Sequence, residues 1–176
     1  MINIVLHEPE IPFNTGAIGR TCVATGSRLH LIQPFGFVLS DKYIHRAGMD
    51  YWPKLDKTVY VDYEDFLAKH PELAYGGEDT DPKRPHLWFA TTKGHTVYSD
   101  AHFGMDDYIM FGKESAGIPE EILREHEKTC IRIPMWGDIR SLNLSNSVAV
   151  VLYEALRQNN FPDLSRKGEL HHSRWV

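Results

Sequence analysis

Six short apolar runs punctuate this chain, and helical patterns fill the gaps between them. The runs are Ile2–Leu6, Leu29–Gln33, Thr58–Val61, Leu87–Thr91, Tyr108–Phe111 and Cys130–Pro134. They are almost continuously apolar rather than alternating, which predicts strands covered on both faces. Helices are expected at Thr15–Thr25, Ser40–Ala47, Tyr63–Lys69, Pro119–Glu125 and Ser145–Gln158. In the last of these, Val148, Val151, Leu152, Ala155 and Leu156 recur at helical spacing and form the expected buried stripe. Strand–helix alternation of this kind predicts an α/β fold, a mostly parallel sheet with helices on both faces. The 176 residues suit one domain, assigned to 1–160, with a polar tail at 161–176. There is no internal repeat, and Gly76–Pro85 reads as an exposed loop.

Composition narrows the class. A hydrophobic fraction of 42% and a mean hydropathy of −0.37 fit a soluble globular protein. No apolar run is long enough to cross a bilayer, and the first residues lack the pattern of a secretory signal. Cys22 and Cys130 form no CxxC pair, so both are expected to be buried and reduced, which points to the cytoplasm. The net charge of −5 runs against the basic footprint of a nucleic-acid-binding domain. A local patch can still bind phosphate on an acidic protein. Arg20, Lys42, Arg46, Lys93, Lys113 and Arg140 lie close to the segments that carry the chemistry.

Several familiar sites fail on inspection. Gly112-Lys113-Glu114-Ser115 is not a Walker A loop, because Asp107 replaces the first Gly and Glu114 the Ser/Thr after Lys. Asn14 spoils a GxGxxG reading of Asn14–Gly19. There is no GxSxG elbow and no HExxH helix. The ten histidines are scattered, and His171-His172 in the tail makes a poor preformed metal site, so no metal is expected.

Three segments remain. Glu8–Arg20 follows the first strand and opens the first helix. Asn14 or Thr15 is placed to cap it, and Gly16, Ala17 and Gly19 keep its first turns slim. Tyr108–Pro119 runs from a buried strand through a glycine-bounded loop to a helix start. A plain strand–turn–helix connection accounts for its Gly117 and Pro119, less well for Gly112 and Glu114. Ile131–Met135 leads to Arg140-Ser141-Leu142-Asn143-Leu144-Ser145-Asn146-Ser147, where two asparagines and three serines crowd the beginning of an apolar helix. One cap needs one such side chain. The rest must bind something, face water or bond unpaired backbone. Ligands in open α/β sheets bind beyond the carboxyl ends of the strands, where all three segments begin.

Taken together, these segments resemble the three motifs of the SPOUT, or trefoil-knot, RNA methyltransferases. Asn14-Thr15-Gly16 with Arg20 matches the first motif and Phe111–Pro119 the second. Ile133-Pro134-Met135 with Ser141–Ser147 matches the third. The resemblance spans Met1 to about Gln158. Met1–Pro12 and Arg46-Ala47-Gly48-Met49-Asp50-Tyr51 are similar to the compact tRNA (cytidine/uridine) 2′-O-methyltransferases, which modify the wobble nucleotide of the anticodon. The resemblance implies a deep C-terminal knot, a homodimer, and the tRNA anticodon stem-loop as partner. It implies S-adenosyl-L-methionine as methyl donor and S-adenosyl-L-homocysteine as product.

By the same resemblance, Ala90, Thr91, Gly112, Glu114, Ile133, Ser141, Leu142 and Ser147 would hold the cofactor, with Ile133 against the adenine. Arg20, Ser141 and Asn143 would be catalytic. Asn14, Arg46, Arg140 and Asn146 would contact substrate or fix loops. Ala17 stands where relatives often carry Asn, and Ile139 where Ser is common. Neither change removes a proposed catalytic group. Two other readings are methylation at a different tRNA or rRNA nucleotide, and a knotted cofactor- or RNA-binding protein without catalysis.

Overall fold

The computed structural model describes residues 1–39, 50–73 and 84–175. In chain order the elements are β1 (Asn3–His7), α1 (Pro12–Thr25), β2 (Arg28–Ile32), β3 (Lys57–Tyr60), α2 (Tyr63–Lys69) and β4 (Leu87–Ala90). They continue with β5 (Thr96–Val97), β6 (Tyr108–Phe111), α3 (Glu120–Leu123), β7 (Cys130–Arg132) and α4 (Leu144–Gln158). The seven strands form one sheet in the order β3-β2-β1-β6-β4-β7-β5. Every pair is parallel, from Ile4 beside Leu29 and Ile109 to Thr96 beside Ile131.

The continuous apolar runs are explained by two cores, one on each sheet face. Ile2, Ile4 and Leu6 meet Ile18 and Cys22 of α1 and Val148, Val151 and Leu152 of α4. Val5 points the other way and joins Phe66 of α2 and Leu123 of α3. Strand β6 divides likewise, Ile109 and Phe111 to the first core, Tyr108 and Met110 to the second. Because side chains alternate along a strand, a sheet buried on both faces is apolar at most positions, and the buried Asn3 and His30 hydrogen-bond to each other. All five residues of the expected stripe on α4 are buried. Cys22 and Cys130 are buried and unpaired, and burial pushes the Cys22 thiol up to about 12. No described helix is long and apolar enough to cross a membrane.

The differences from expectation are local. α1 starts at Pro12 rather than Thr15, with Pro in the first turn and Ile11 as an N-cap residue whose side chain caps nothing. Pro fits there because its missing N–H is one the helix would leave unpaired. Asn14 and Thr15 therefore lie inside the helix, and the Thr15 hydroxyl donates back to the Ile11 carbonyl at 3.4 Å. β7 ends at Arg132, two residues before Pro134. β5, with only two residues, was too short for a periodicity signal. It matters nonetheless, because β7 lies between β4 and β5, and the Thr91 N–H donates to the Ile131 carbonyl at 2.8 Å as the chain leaves β4. The expected helix Ser40–Ala47, Arg46 and most of the Gly76–Pro85 loop fall outside the described residues. Phe161 and Leu164 pack on the core of α1 and α4. Residues 165–175 have no regular secondary structure and are exposed.

Candidate active site

A cavity of about 610 Å³ opens beyond the carboxyl ends of the adjacent strands β6, β4 and β7. Its walls are the residues that follow each strand, Gly112–Ile118, Ala90–Lys93 and Ile133, and the start of α4. The size suits a small-molecule site. Ala90, Thr91, Gly112, Glu114, Ile133, Ser141, Leu142 and Ser147 all line it, as do Asn14, Arg140 and Asn143. The structure thus gathers the three sequence segments at one place.

Gly112 is there for want of space. A Cβ on it would fall 2.0 Å from the Gly117 carbonyl carbon and 2.1 Å from the Ile118 nitrogen. The loop folds back on itself through an N–H of Gly117 donating to the Lys113 carbonyl at 2.8 Å. Gly117 takes φ +73°, a left-handed turn that suits glycine.

The first and second segments are laced together side by side. Lys113 Nζ lies 2.7 Å from Glu8 Oε2. Two residues on, the Ser115 N–H and hydroxyl each donate to the Glu10 carboxylate at 2.8 Å. Those bonds hold the Glu10 carboxyl below its ordinary range, the hydroxyl first and the N–H second. Between them the Glu114 carboxylate turns the other way. It accepts from the Glu10 N–H at 2.8 Å, the Ile11 N–H at 3.3 Å and Asn14 Nδ2 at 2.9 Å. An anion at a helix N-terminus is favourable, so Glu114 supplies from another segment the cap that α1 lacks. Glu8 adopts φ 52° to take part, which costs a non-glycine residue about 1–2 kcal/mol.

The third segment joins through Asn14. Its Oδ1 accepts from Asn143 Nδ2 at 3.0 Å. Asn143 Oδ1 accepts in turn from the Ser145 N–H at 2.9 Å and the Ser145 hydroxyl at 2.7 Å, capping α4. The polar crowd at this helix start is thereby apportioned. Asn143 caps, Ser145 bonds the cap, and Ser147 Oγ donates to the Asn143 carbonyl at 3.2 Å. Asn146 is exposed and stands outside the cavity wall. Ser141 faces the cavity with no hydrogen-bond partner among the described residues.

Arg20 is not brought to the cavity. It lies on the exposed side of α1, its guanidinium 4.8 Å above the Tyr51 ring and 3.8 Å from Asp50. The Tyr51 hydroxyl donates to the Gly16 carbonyl at 2.6 Å, which fixes the ring under it. Tyr51, Glu8, Glu10 and Ser115 are not among the site residues expected from sequence, and Lys113 is expected there only as a nearby cation. The signal available in the sequence is the matched two-residue spacing of Glu8/Glu10 and Lys113/Ser115.

The donor set fits the methyl-donor cofactor that the resemblance implies. Ile133, Leu142, Ile118 and Val151 offer apolar walls, and the Gly112–Gly117 turn and Ser141 offer polar groups. Comparisons with known proteins agree. Residues 1–153 match the SpoU rRNA methylase family. The tRNA (cytidine(34)-2′-O)-methyltransferase of Escherichia coli K12 is 47% identical over 163 residues, covering 92% of this chain and 96% of that protein. A solved structure concerned with the 2-OH methylation of C/U34 on tRNA superposes with a TM-score of 0.79 at 38% identity, over 91% of this chain and 97% of the other. An AdoMet-bound rRNA methyltransferase from Sinorhizobium meliloti gives a TM-score of 0.72 at 26% identity, over 89% and 56%. With its three segments meeting at one cavity and 153 residues matched end to end, this chain belongs to the SpoU rRNA methylase family.

Proposed function

We propose that the protein is an S-adenosylmethionine-dependent tRNA 2′-O-methyltransferase acting on the wobble cytidine or uridine. The observation that carries this reading is the convergence of the three segments on one cavity, in a chain 47% identical to an enzyme named for that reaction. The cofactor supplies a methyl group already activated by its sulfonium. The transfer joins the ribose 2′-oxygen to the methyl carbon and breaks the methyl–sulfur bond, and the hydroxyl proton passes to water. The protein's task is chiefly alignment and help with that proton. Ser141, with its hydroxyl uncommitted, is the group at the cavity wall best suited to hold the attacking oxygen. Asn143 acts through its cap and its bond to Asn14, so its part is to position the loop.

A guanidinium keeps its proton in proteins, so Arg20 serves as a cation that favours the developing alkoxide or holds the neighbouring phosphate. Its place outside its own cavity points to a second copy of the chain as the site it serves. On α1, Phe13, Ala17 and Arg20 are exposed along one face, and on α4, Val150 and Tyr153 are exposed along another. Helices α1 and α4 pack against each other, so these residues can form one shared apolar surface fit for a homodimer. The position of β7 between β4 and β5 supports threading of the 130–144 stretch as a trefoil knot. The test is to incubate the protein with unmodified tRNA and labelled S-adenosylmethionine, then identify nucleosides by mass spectrometry. A 2′-O-methylated nucleoside at the wobble position is expected. Cofactor binding with no methylated nucleoside would overturn the reading, and methylation elsewhere would overturn the wobble assignment alone.

A further inference from the structure

The strongest observation not absorbed by the proposed reaction is Trp136. It is 93% exposed, the most exposed large hydrophobic residue among those described. It sits in the connection from β7 to α4, directly after Met135, which lines the cavity, and four residues before Arg140, which lines it too. Adjacent Cα atoms lie about 3.8 Å apart, so the backbone of Trp136 adjoins the cavity wall. Ile139 in the same connection is 63% exposed. An indole left in water forgoes one of the largest hydrophobic gains a side chain can make, and neither core of this protein uses it.

What covers it is indicated by charge. The protein is acidic overall, yet Lys93, Lys113, Arg132 and Arg140 all line this cavity, against Glu114 alone among the acids. Lys93 and Lys113 are paired with Glu120 and Glu8. Arg132 and Arg140 have no ion pair among the described residues, so two cations remain for an anionic partner. An aromatic face beside free arginines is the pattern that binds unstacked bases and their phosphates in single-stranded nucleic acid.

We infer that Trp136 is a stacking platform for a nucleobase beside the methylated nucleotide, with Arg140 and Arg132 holding the flanking phosphates. This rests on the RNA substrate proposed above and adds a positioning residue to it. By this arrangement the ribose is presented to the cavity because its neighbouring base is held on the rim.

The test uses the full chain and unmodified tRNA. Trp136→Ala is expected to weaken tRNA binding by about 5- to 150-fold, the range that loss of one base–aromatic stack gives. Cofactor affinity and oligomeric state should stay as in the wild type, and Trp136→Tyr should restore most of the binding. In a Trp175→Phe background, tRNA should quench the emission of Trp136, since Trp52 and Trp88 are buried. Unchanged tRNA affinity in Trp136→Ala would overturn the inference. So would a shift in its oligomeric state, which would make the indole a subunit contact. Wild-type methylation is read in parallel: weakened binding in the variant, with no turnover in the wild type, would sink the proposed activity while supporting the platform.

Discussion

Replacing Glu114 by Gln separates two roles that this residue could hold. Sequence resemblance makes it a cofactor ligand, whereas its geometry makes it the anionic cap of α1. The carboxylate accepts three N–H groups, from Glu10, Ile11 and Asn14. An amide can offer its single oxygen to one side only, so its NH₂ must face either the Glu10 donor or the pair from Ile11 and Asn14. Asn14 cannot turn to oblige, because its own oxygen accepts from Asn143. A hydrogen bond to a charged group contributes about 1.5–3 kcal/mol, and a buried donor left alone costs about 1–3 kcal/mol. Two of the contacts are half-buried and the one from Ile11 is exposed, so a loss of about 2–4 kcal/mol is expected. For a chain of this size that corresponds to a melting temperature about 4–16 °C lower. Thermal unfolding of the cofactor-free protein is the assay. A double-mutant cycle with Asn14→Ala should give a coupling of about 1 kcal/mol, since the two side chains touch. A variant that melts with the wild type when cofactor-free, yet binds S-adenosylmethionine more weakly, would refute the capping role and restore Glu114 as a ligand.

Gly112→Ala should destabilise by about 3 kcal/mol or more, the upper end for overpacking, because the clash at 2.0 Å is with backbone; unfolding in urea with cofactor titration checks it. Arg20→Ala and the cavity variant Ile133→Asp should each be inactive. If Arg20 serves the other subunit, mixing the two should restore about a quarter of wild-type turnover, half the dimers being mixed and each carrying one complete site. No recovery would place Arg20 in its own subunit's site. His30 is buried, and that burial, aided by repulsion from His70 and Arg28, pushes its pKa down to about 3. A neutral folded imidazole that protonates once unfolded contributes stability above pH 6.5, lost as pH falls from there toward 3. Acid unfolding should therefore be shallower in that window for His30→Asn.

How much was legible depended on what each signal reports. Periodicity reports burial, and burial on both faces makes β1, β2, β4 and β6 visible as apolar runs, whereas the edge strand β3 is visible from β-branched composition alone, since its Thr58 and Val59 are exposed. Periodicity gave no hint of β5, whose two residues are only half-buried. The cavity was legible for a different reason. Its walls are the turns after three strands, and turns of this kind carry Gly, Ser and Asn at positions where backbone must pass close or be capped. Thus Gly112 marked a true backbone contact and Asn143 a true cap. The cap of α1 is not encoded in its own segment. Asn14 and Thr15 had the right chemistry, but the group that does the work is a carboxylate a hundred residues away.

The distance of that cap along the chain bears on how the site is built. A local cap holds one helix, whereas Glu114 capping α1 makes the register of α1 depend on the loop after β6. Asn14 then makes the start of α4 depend on α1 through Asn143. The Glu114–Asn14–Asn143–Ser145 chain therefore ties the loop after β6 to the starts of α1 and α4, and the flanking Glu8–Lys113 and Glu10–Ser115 contacts lock the first two of these in parallel. Side chains spent in this way are unavailable to substrate. The polar surplus before α4 consequently reduces to Ser141 and Arg140 at the cavity and Asn146 outside it. A site whose walls are braced by its own polar groups can align two reactants without reorganising, which is most of what transfer of an activated methyl group requires.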